Sequence, residues 1–351
     1  MKKKAVTIYD IAQRLGLSPS TVSRGLRNDE RINQHTRKLI SEAAAELNYH
    51  PNRVAAGLRG GTTGTIGVIV PRIGRTFFAS AISGIESVAR RRGFQVIITQ
   101  SNESLETEKE NVAALMAARV DGIIASLSFE TEALPHFENL QKQHMPLVLF
   151  DRVAENESVH RVVLDDFAAS RDAARHLISV GARRLAYLGG PMSLNLYKNR
   201  HRGYLEAMRE ANLPVYDNYV KLNAVLEDTG YAAARALMTL PEPPDAILCA
   251  SDYGALGVIT YARDHGLEVP DDLMVVGFAN EPFTRIITPA LSSVEQFSER
   301  MGVTAAEVLF RQIDAGDKGK VVENIVLPGE LQVRASSQPS LRPATNKVQP
   351  G

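Results

Sequence analysis

Beyond Gly64 the chain alternates short, β-branched apolar runs with longer stretches of helical periodicity, and this rhythm constrains the fold more than any other feature. TIGVIV, FQVIIT, DGIIAS and PLVLFD each adjoin an amphipathic segment, and RRLAYLGG, DAILCA and DLMVVGF continue the pattern. Strands that are apolar on both faces belong to parallel sheets covered by helices on both sides. The number of runs suits two such sheets, so an α/β core of two doubly wound lobes is expected. Open parallel sheets bind ligands at the carboxyl ends of their strands. At those ends stand Pro71 to Phe78 (PRIGRTFF, with Arg75, Phe77 and Phe78), Ser126, Asp151 with Arg152, Asp166, Arg200, Ser251 with Asp252, Asn280 and Gln296. Carboxylates, amides and guanidinium groups beside aromatic rings suit a polyhydroxylated ligand, whose paired hydroxyls meet the polar groups while a ring covers an apolar sugar face. Asp166 and Asp252 also lie at expected helix starts, where a carboxylate serves equally well as a cap.

Residues 7 to 28, TIYDIAQRLGLSPSTVSRGLRN, read as two short helices joined by a glycine turn, the layout of a DNA-reading helix-turn-helix. Thr7 can cap the first helix, with Asp10 three residues on as in a capping box. Ile8, Ile11, Ala12 and Leu15 repeat at helical spacing, and Gly16 supplies the left-handed residue that often follows a helix end. Ser18 caps the second helix, and Pro19 sits where a missing amide hydrogen costs little. Val22 and Leu26 face inward. Ser20, Thr21, Ser23, Arg24 and Arg27 remain outside, where hydroxyls suit phosphates and arginine can grip guanine in the major groove. A third helix over Gln34 to Leu47 braces the pair through Ile40, Ala43, Ala44 and Leu47.

The chain has 351 residues and a formal net charge of zero. That neutrality conceals an asymmetry: residues 1–60 carry eleven Lys and Arg against five acids, a net of +6, so the remainder carries −6. Basic charge gathered at one end favours phosphate binding there through counterion release. No apolar run approaches the roughly 18 residues of a membrane span. The opening MKKK is followed by Asp10, Gln13 and Arg14, which interrupt any signal-peptide core, so a cytoplasmic protein is expected. The single cysteine, Cys249, lies in AILCAS, a buried-strand pattern. No cofactor or metal is expected, and neither His-Glu-x-x-His nor a phosphate-loop lysine after GGTTG is present.

TIYDIA, STVSR and YHPNRVA together resemble the amino terminus of the lac repressor (LacI/GalR) family of bacterial transcription regulators, and the resemblance runs from Thr7 to about Ser336. It implies a helix-turn-helix domain over 1–51, a hinge helix and linker over 52–64, and a periplasmic-binding-protein-like core over 65–336. Lobe one would take about 65–164 and 292–326, and lobe two about 165–291 and 327–336, with crossings near Leu164, Leu291 and Val326. The proline-rich segment 337–351 is expected to be disordered, and without a leucine heptad there the chain should be a homodimer.

The resemblance places base reading on Pro19, Ser20 and Arg24 and phosphate contacts on Thr7, Ser23 and Asn28. Thr21 belongs to the same surface. Hinge contacts fall on Asn52, Arg53, Ala55 and Leu58, with Leu58 wedging a base step of an approximately palindromic double-stranded operator. Gly57 within this segment costs about 1 kcal/mol relative to alanine, so the hinge should fold only when held. In the core, Arg200 within NRHRGY matches the family's effector-gripping Arg-x-x-Gly, and Phe77 and Phe78 match its aromatic pair. Two departures stand out. Gly277, Phe278, Ala279 and Asn280 replace glycine, an aromatic and two acids, and Arg72 and Arg75 occupy positions where small or acidic residues are common. With Arg152 and Arg200 these arginines would make a cationic cleft for a sugar acid or sugar phosphate; they could equally face solvent. A purine corepressor, a sugar-binding transport protein and, more remotely, an enzyme are the alternatives.

Overall fold

The computed structural model describes residues 6–26, 28–49, 62–154, 158–316 and 321–339. The chain divides into two compact units, Met1–Thr63 and Gly64–Gly351.

The first unit holds α1 (Ile8–Leu15), α2 (Pro19–Gly25) and α3 (Gln34–Glu46). Thr7 and Asp10 form a capping box, in which the Asp10 carboxylate accepts the Thr7 N–H at 2.6 Å and the Thr7 hydroxyl at 2.7 Å. Gly16, at φ 65°, turns the chain so that its own N–H reaches the Ala12 carbonyl. Ser18 Oγ then accepts the Thr21 N–H at 3.1 Å to start α2, and Asn33 accepts the Thr36 N–H at 2.7 Å to start α3. Ile11, Val22 and Ile40 meet in a small core with Ala12, Ala43 and Ala44. Each of the three large side chains contributes about 1.5–3 kcal/mol by leaving water. An Arg14–Glu46 ion pair ties α1 to the end of α3.

The second unit contains two six-stranded sheets. The first is built from β1 (Thr65–Val70), β2 (Gln95–Gln100), β3 (Ile123–Ala125), β4 (Leu147–Phe150), β5 (His160–Leu164) and β11 (Asn324–Leu327), in the order β11-β5-β4-β3-β1-β2. All its pairings are parallel. Helices α4 (Thr76–Arg91) and α11 (Ser298–Ala315) pack on one face, while α5 (Leu105–Ala117) and α6 (Pro135–Lys142) supply the apolar side chains of the other. The first two helices approach so closely that a Cβ on Gly302 would lie 2.0 Å from the Ala81 carbonyl oxygen, so only glycine fits.

The second sheet uses β6 (Leu185–Leu188), β7 (Val220–Lys221), β8 (Ala246–Cys249), β9 (Met274–Phe278), β10 (Ser292–Glu295) and β12 (Glu330–Gln332), in the order β12-β10-β9-β8-β6-β7. It is parallel except for the antiparallel β10–β12 pair. Helices α7 (Asp166–Ser179) and α8 (Asn195–Glu210) cover one face, and α9 (Glu227–Met238) and α10 (Asp252–Asp264) the other.

Two boundaries differ from those read in the sequence. The crossing expected near Leu291 comes after Glu295, because β10 still belongs to the second sheet, Ser292–Val294 pairing with β9 and Glu295 with β12. Nor does the ordered chain end at Ser336: Ser337 is fully buried and bonds to His176 Nε2 at 2.8 Å and to Ser292 Oγ at 2.7 Å. Residues 340–351, the rest of the expected disordered tail, lie outside the described residues.

Candidate functional site

In the helical unit the expected DNA-reading groups sit on and beside α2. Ser20 and Arg24 are exposed, whereas Pro19, Thr21 and Ser23 are half-buried. The Ser20 and Thr21 hydroxyls each lie 2.8 Å from Ser18 Oγ, which orients the first turn of the helix. Thr7 and Asn28 are exposed, and Arg37 Nη1 donates to the Asn28 carbonyl at 3.1 Å, fixing the left-handed turn at φ 55° that follows α2. Arg27 and the expected hinge residues Asn52, Arg53, Ala55 and Leu58 lie outside the described residues.

In the core unit, the carboxyl ends of both sheets open onto one cavity of about 260 Å³. Of the expected residues it is lined by Arg75, Phe77, Phe78, Asp151, Arg152, Arg200, Ser251, Asp252 and Gln296, and also by Arg72. Arg152 Nη1 donates to Glu103 Oε2 at 2.7 Å, with its guanidinium 4.2 Å from the Phe129 ring centre. Arg200 Nε donates to Asp166 Oδ1 at 2.8 Å and Nη1 to the Ala250 carbonyl at 2.8 Å, while the group lies 3.8 Å over Phe278. Arg75, on the first lobe, stacks 3.7 Å over Tyr253 of the second. Among the described residues Arg152 Nε and Arg200 Nη2 are buried with no hydrogen-bond partner, the Asp151 carboxylate lying 4.0 Å from Arg152 Nε. Such donors cost about 1–3 kcal/mol or more when left unmet, so they mark where an acceptor belongs.

The carboxylates are unequal. Burial lifts Asp151 to about 6, against the pull of Arg152 and Arg200. Asp151 takes a left-handed backbone at φ 59°, and Asn195 bridges the lobes around it: its Nδ2 donates to the Asp151 carbonyl at 3.1 Å and its Oδ1 accepts the Val153 N–H at 2.9 Å. Burial also lifts Asp252 to about 7. Its oxygens are taken by the Ser293 hydroxyl at 2.6 Å and the Glu281 N–H at 2.8 Å, so this side chain braces the loop instead of offering acceptors to the cavity.

Three expected residues stay out of the cavity: Ser126, Asn280 and Asp166, the last held against Arg200. Ser126 is fully buried and its N–H bonds to the Ile69 carbonyl at 3.0 Å, which keeps it within the sheet ladder beyond β3. Asn280 does not line the cavity either, because Arg334 Nη2 donates to its Oδ1 at 2.6 Å and its Nδ2 donates to Glu295 Oε2 at 2.7 Å. The residue before it, Ala279, does line the cavity and holds φ 115°. A side chain in so sparsely populated a region costs about 1–3 kcal/mol, a strain that recurs at ligand clamps.

The expectation of a cationic cleft also needs correction. Glu103, Asp151, Asp252 and Glu281 line the cavity beside the four arginines, and Glu103 draws in both Arg152 and, at 3.8 Å, Arg72. Sequence reading missed Glu103, Phe129, Tyr197, Tyr253 and Glu281. Tyr197 was within reach of a helical-spacing argument, since it precedes Arg200 by three positions on α8 and so shares its face.

Comparison with known proteins agrees with this architecture. Residues 7–52 match the model of bacterial regulatory proteins of the lacI family, and residues 174–337 match a periplasmic binding protein-like domain. Catabolite control protein A of Priestia megaterium is 34% identical over 95% of this chain and 99% of its own length. The chain belongs to the LacI family. The transcriptional repressor CytR of Escherichia coli K12 is 30% identical, over 96% of this chain and 98% of its own. Among solved structures, the lac repressor dimer bound to operator and the anti-inducer ONPF matches with TM-score 0.83 and 25% identity, over 95% of this chain and 99% of that one. A complex of the regulator CelR with cellobiose matches with TM-score 0.72 and 28% identity, over 94% of this chain and 99% of that one. For this LacI-family chain the helical unit is the DNA-binding part and the two-lobed unit the effector-binding part. No described helix is long and apolar enough to cross a membrane.

Proposed function

We propose that this chain is a cytoplasmic repressor, without enzymatic activity, that binds an approximately palindromic operator as a homodimer. Its effector would be a sugar-like molecule carrying an acidic group, a sugar acid or sugar phosphate, held between the two lobes. The observation that carries the ligand reading is the pair of buried, unmet guanidinium donors, Arg152 Nε and Arg200 Nη2. Arginine forks suit the oxygens of carboxylate and phosphate, while Asp151 and Glu103 can take ligand hydroxyls. The dimer reading is supported by edge strand β2, which leaves Ile97 and Ile98 exposed. An uncovered apolar edge of this kind calls for a partner.

A purine is the weaker ligand. Three of the rings lining the cavity are already covered, Phe129 by Arg152, Tyr253 by Arg75 and Phe278 by Arg200, which leaves Phe77, Phe78 and Tyr197 for stacking. An effector would act through its unequal affinity for two arrangements of the lobes, and operator affinity follows the same coupling.

The test is a thermal-shift panel of gluconate, gluconate 6-phosphate, glucose, cellobiose and guanine, followed by gel-shift titration with a palindromic duplex selected by the protein. A ligand at a hundredfold excess over its Kd adds about 2.7 kcal/mol of stability. Stabilisation by the acids is expected. Stabilisation by neutral sugars without the acids overturns the anionic reading, and stabilisation by guanine alone selects the purine. Weaker operator binding with ligand identifies an inducer; stronger binding identifies a corepressor.

A further inference from the structure

We propose that Asn280 is a positioning residue that links the effector cleft to the lobe crossover, and that it makes no contact with the effector itself. The proposal rests on reading the cavity as the effector site. Ala279 lines that cavity at φ 115°, and two hydrogen bonds hold it there: its own N–H to the Val294 carbonyl at 3.0 Å, and the Asn280 N–H to Ser293 Oγ at 2.9 Å. The Asn280 side chain then carries the connection outward. Its Nδ2 donates to Glu295 Oε2 at 2.7 Å, and Glu295 Oε1 accepts the Phe297 N–H at 2.7 Å.

Phe297 is the residue at which the chain leaves the second sheet and enters α11 of the first lobe, and it too holds a left-handed backbone, at φ 51°. A single carboxylate thus grips the cleft turn with one oxygen and the crossover with the other. Asn280 Oδ1 is occupied by Arg334, so both ends of the amide are committed away from the cavity. N–H···O bonds keep their strength only over about 2.7–3.2 Å, so a ligand that shifts Ala279 must move Glu295 or break one of its two bonds. A strained residue persists only while its surroundings over-determine it, which makes this turn able to switch.

The test uses the full-length protein as wild type, Asn280→Asp, and Asn280→Asp combined with Glu295→Gln. The single change sets two carboxylates against each other and removes the donor, although Arg334 keeps its acceptor. The second change restores a donor with the direction of the bond reversed, and the pair carries the same charge as before. Hydrogen exchange at amides 297–301 is measured with and without gluconate 6-phosphate, and binding of that compound by calorimetry. Without ligand, Asn280→Asp should exchange about tenfold faster at these amides, the effect of losing one hydrogen bond, and the double variant should return to the wild-type rate. With ligand, wild type should change its exchange at 297–301, whereas Asn280→Asp should bind the compound and show no such change. Unaltered ligand-free exchange in Asn280→Asp, or no recovery in the double variant, overturns the proposal. If gluconate 6-phosphate binds none of the three, the ligand class fails while the ligand-free comparison still decides the role of Asn280. Should Asn280→Asp not fold, Asn280→Ala removes the donor without adding charge and gives the same ligand-free comparison.

Discussion

Replacing Asp166 by alanine leaves the Arg200 guanidinium buried in the second lobe without the carboxylate that faces it. The two side chains are 4% and 3% exposed and meet at 2.8 Å, so the intact pair is shielded from water. Breaking a buried pair by removing one partner costs about 3–5 kcal/mol. An independent figure agrees, since two unit charges 4 Å apart at an effective dielectric constant of 20 attract by about 4 kcal/mol. Against the 5–15 kcal/mol that holds a typical domain together, this loss is large. Combining Asp166→Leu with Arg200→Met puts apolar groups in place of both charges, and such exchanges are often neutral. The double variant should therefore regain most of the lost stability, and with the single variants Asp166→Leu and Arg200→Met it closes a cycle whose coupling energy should be about 3 kcal/mol. It should not regain its ligand response, because the unmet Arg200 donor is gone. Urea unfolding followed by circular dichroism measures the stabilities, since the chain has no tryptophan to report on. A cost below about 1 kcal/mol for Asp166→Ala, the range of a solvated surface pair, refutes the reasoning.

Ile98→Glu on the exposed edge strand should convert dimer to monomer in sedimentation, with operator affinity falling alongside; an unchanged dimer removes β2 from the interface. For Asp252, burial holds the folded-state value at about 7 against an ordinary 3.8. The folded protein thus keeps a proton that the unfolded chain releases, and this contribution is complete below about pH 4 and lost as pH rises through about 7. Asp252→Asn, which stays neutral throughout, should show a shallower fall in urea midpoint between pH 5 and 8 than wild type, and an equal fall places the titration elsewhere. Leu58→Gly should weaken operator binding strongly in gel shifts and leave ligand-induced thermal stabilisation unchanged. Equal operator affinity would remove Leu58 from the DNA interface.

How much of this was legible in the sequence depended on how local the determining contacts are. The three-helix unit was readable because its punctuation acts within four residues: Thr7 on Asp10, Gly16 on Ala12, Ser18 on Thr21. Central strands such as Ala246–Cys249 were readable because they are buried on both faces and hence continuously apolar. Strand β10, by contrast, begins with two fully buried serines whose hydroxyls are satisfied by Ser337 and Asp252, 45 and 41 residues away. Its polar composition hides a core strand, so no apolar run marks it and the crossing that the resemblance implies near Leu291 falls before it. The same physics governs the site. Strand-end position was enough to single out Arg152, and the Arg-x-x-Gly match singled out Arg200, but a side chain's direction is decided by partners that local spacing does not reveal. Asn280 looks like a ligand group by position, yet Arg334, 54 residues further on, turns its amide away from the cavity. Glu103 looks like a loop residue, yet it gathers Arg72, Arg152 and the Phe129 N–H. The cleft was therefore legible in its membership and illegible in its charge balance, because that balance is set where the two lobes and their crossing strands converge.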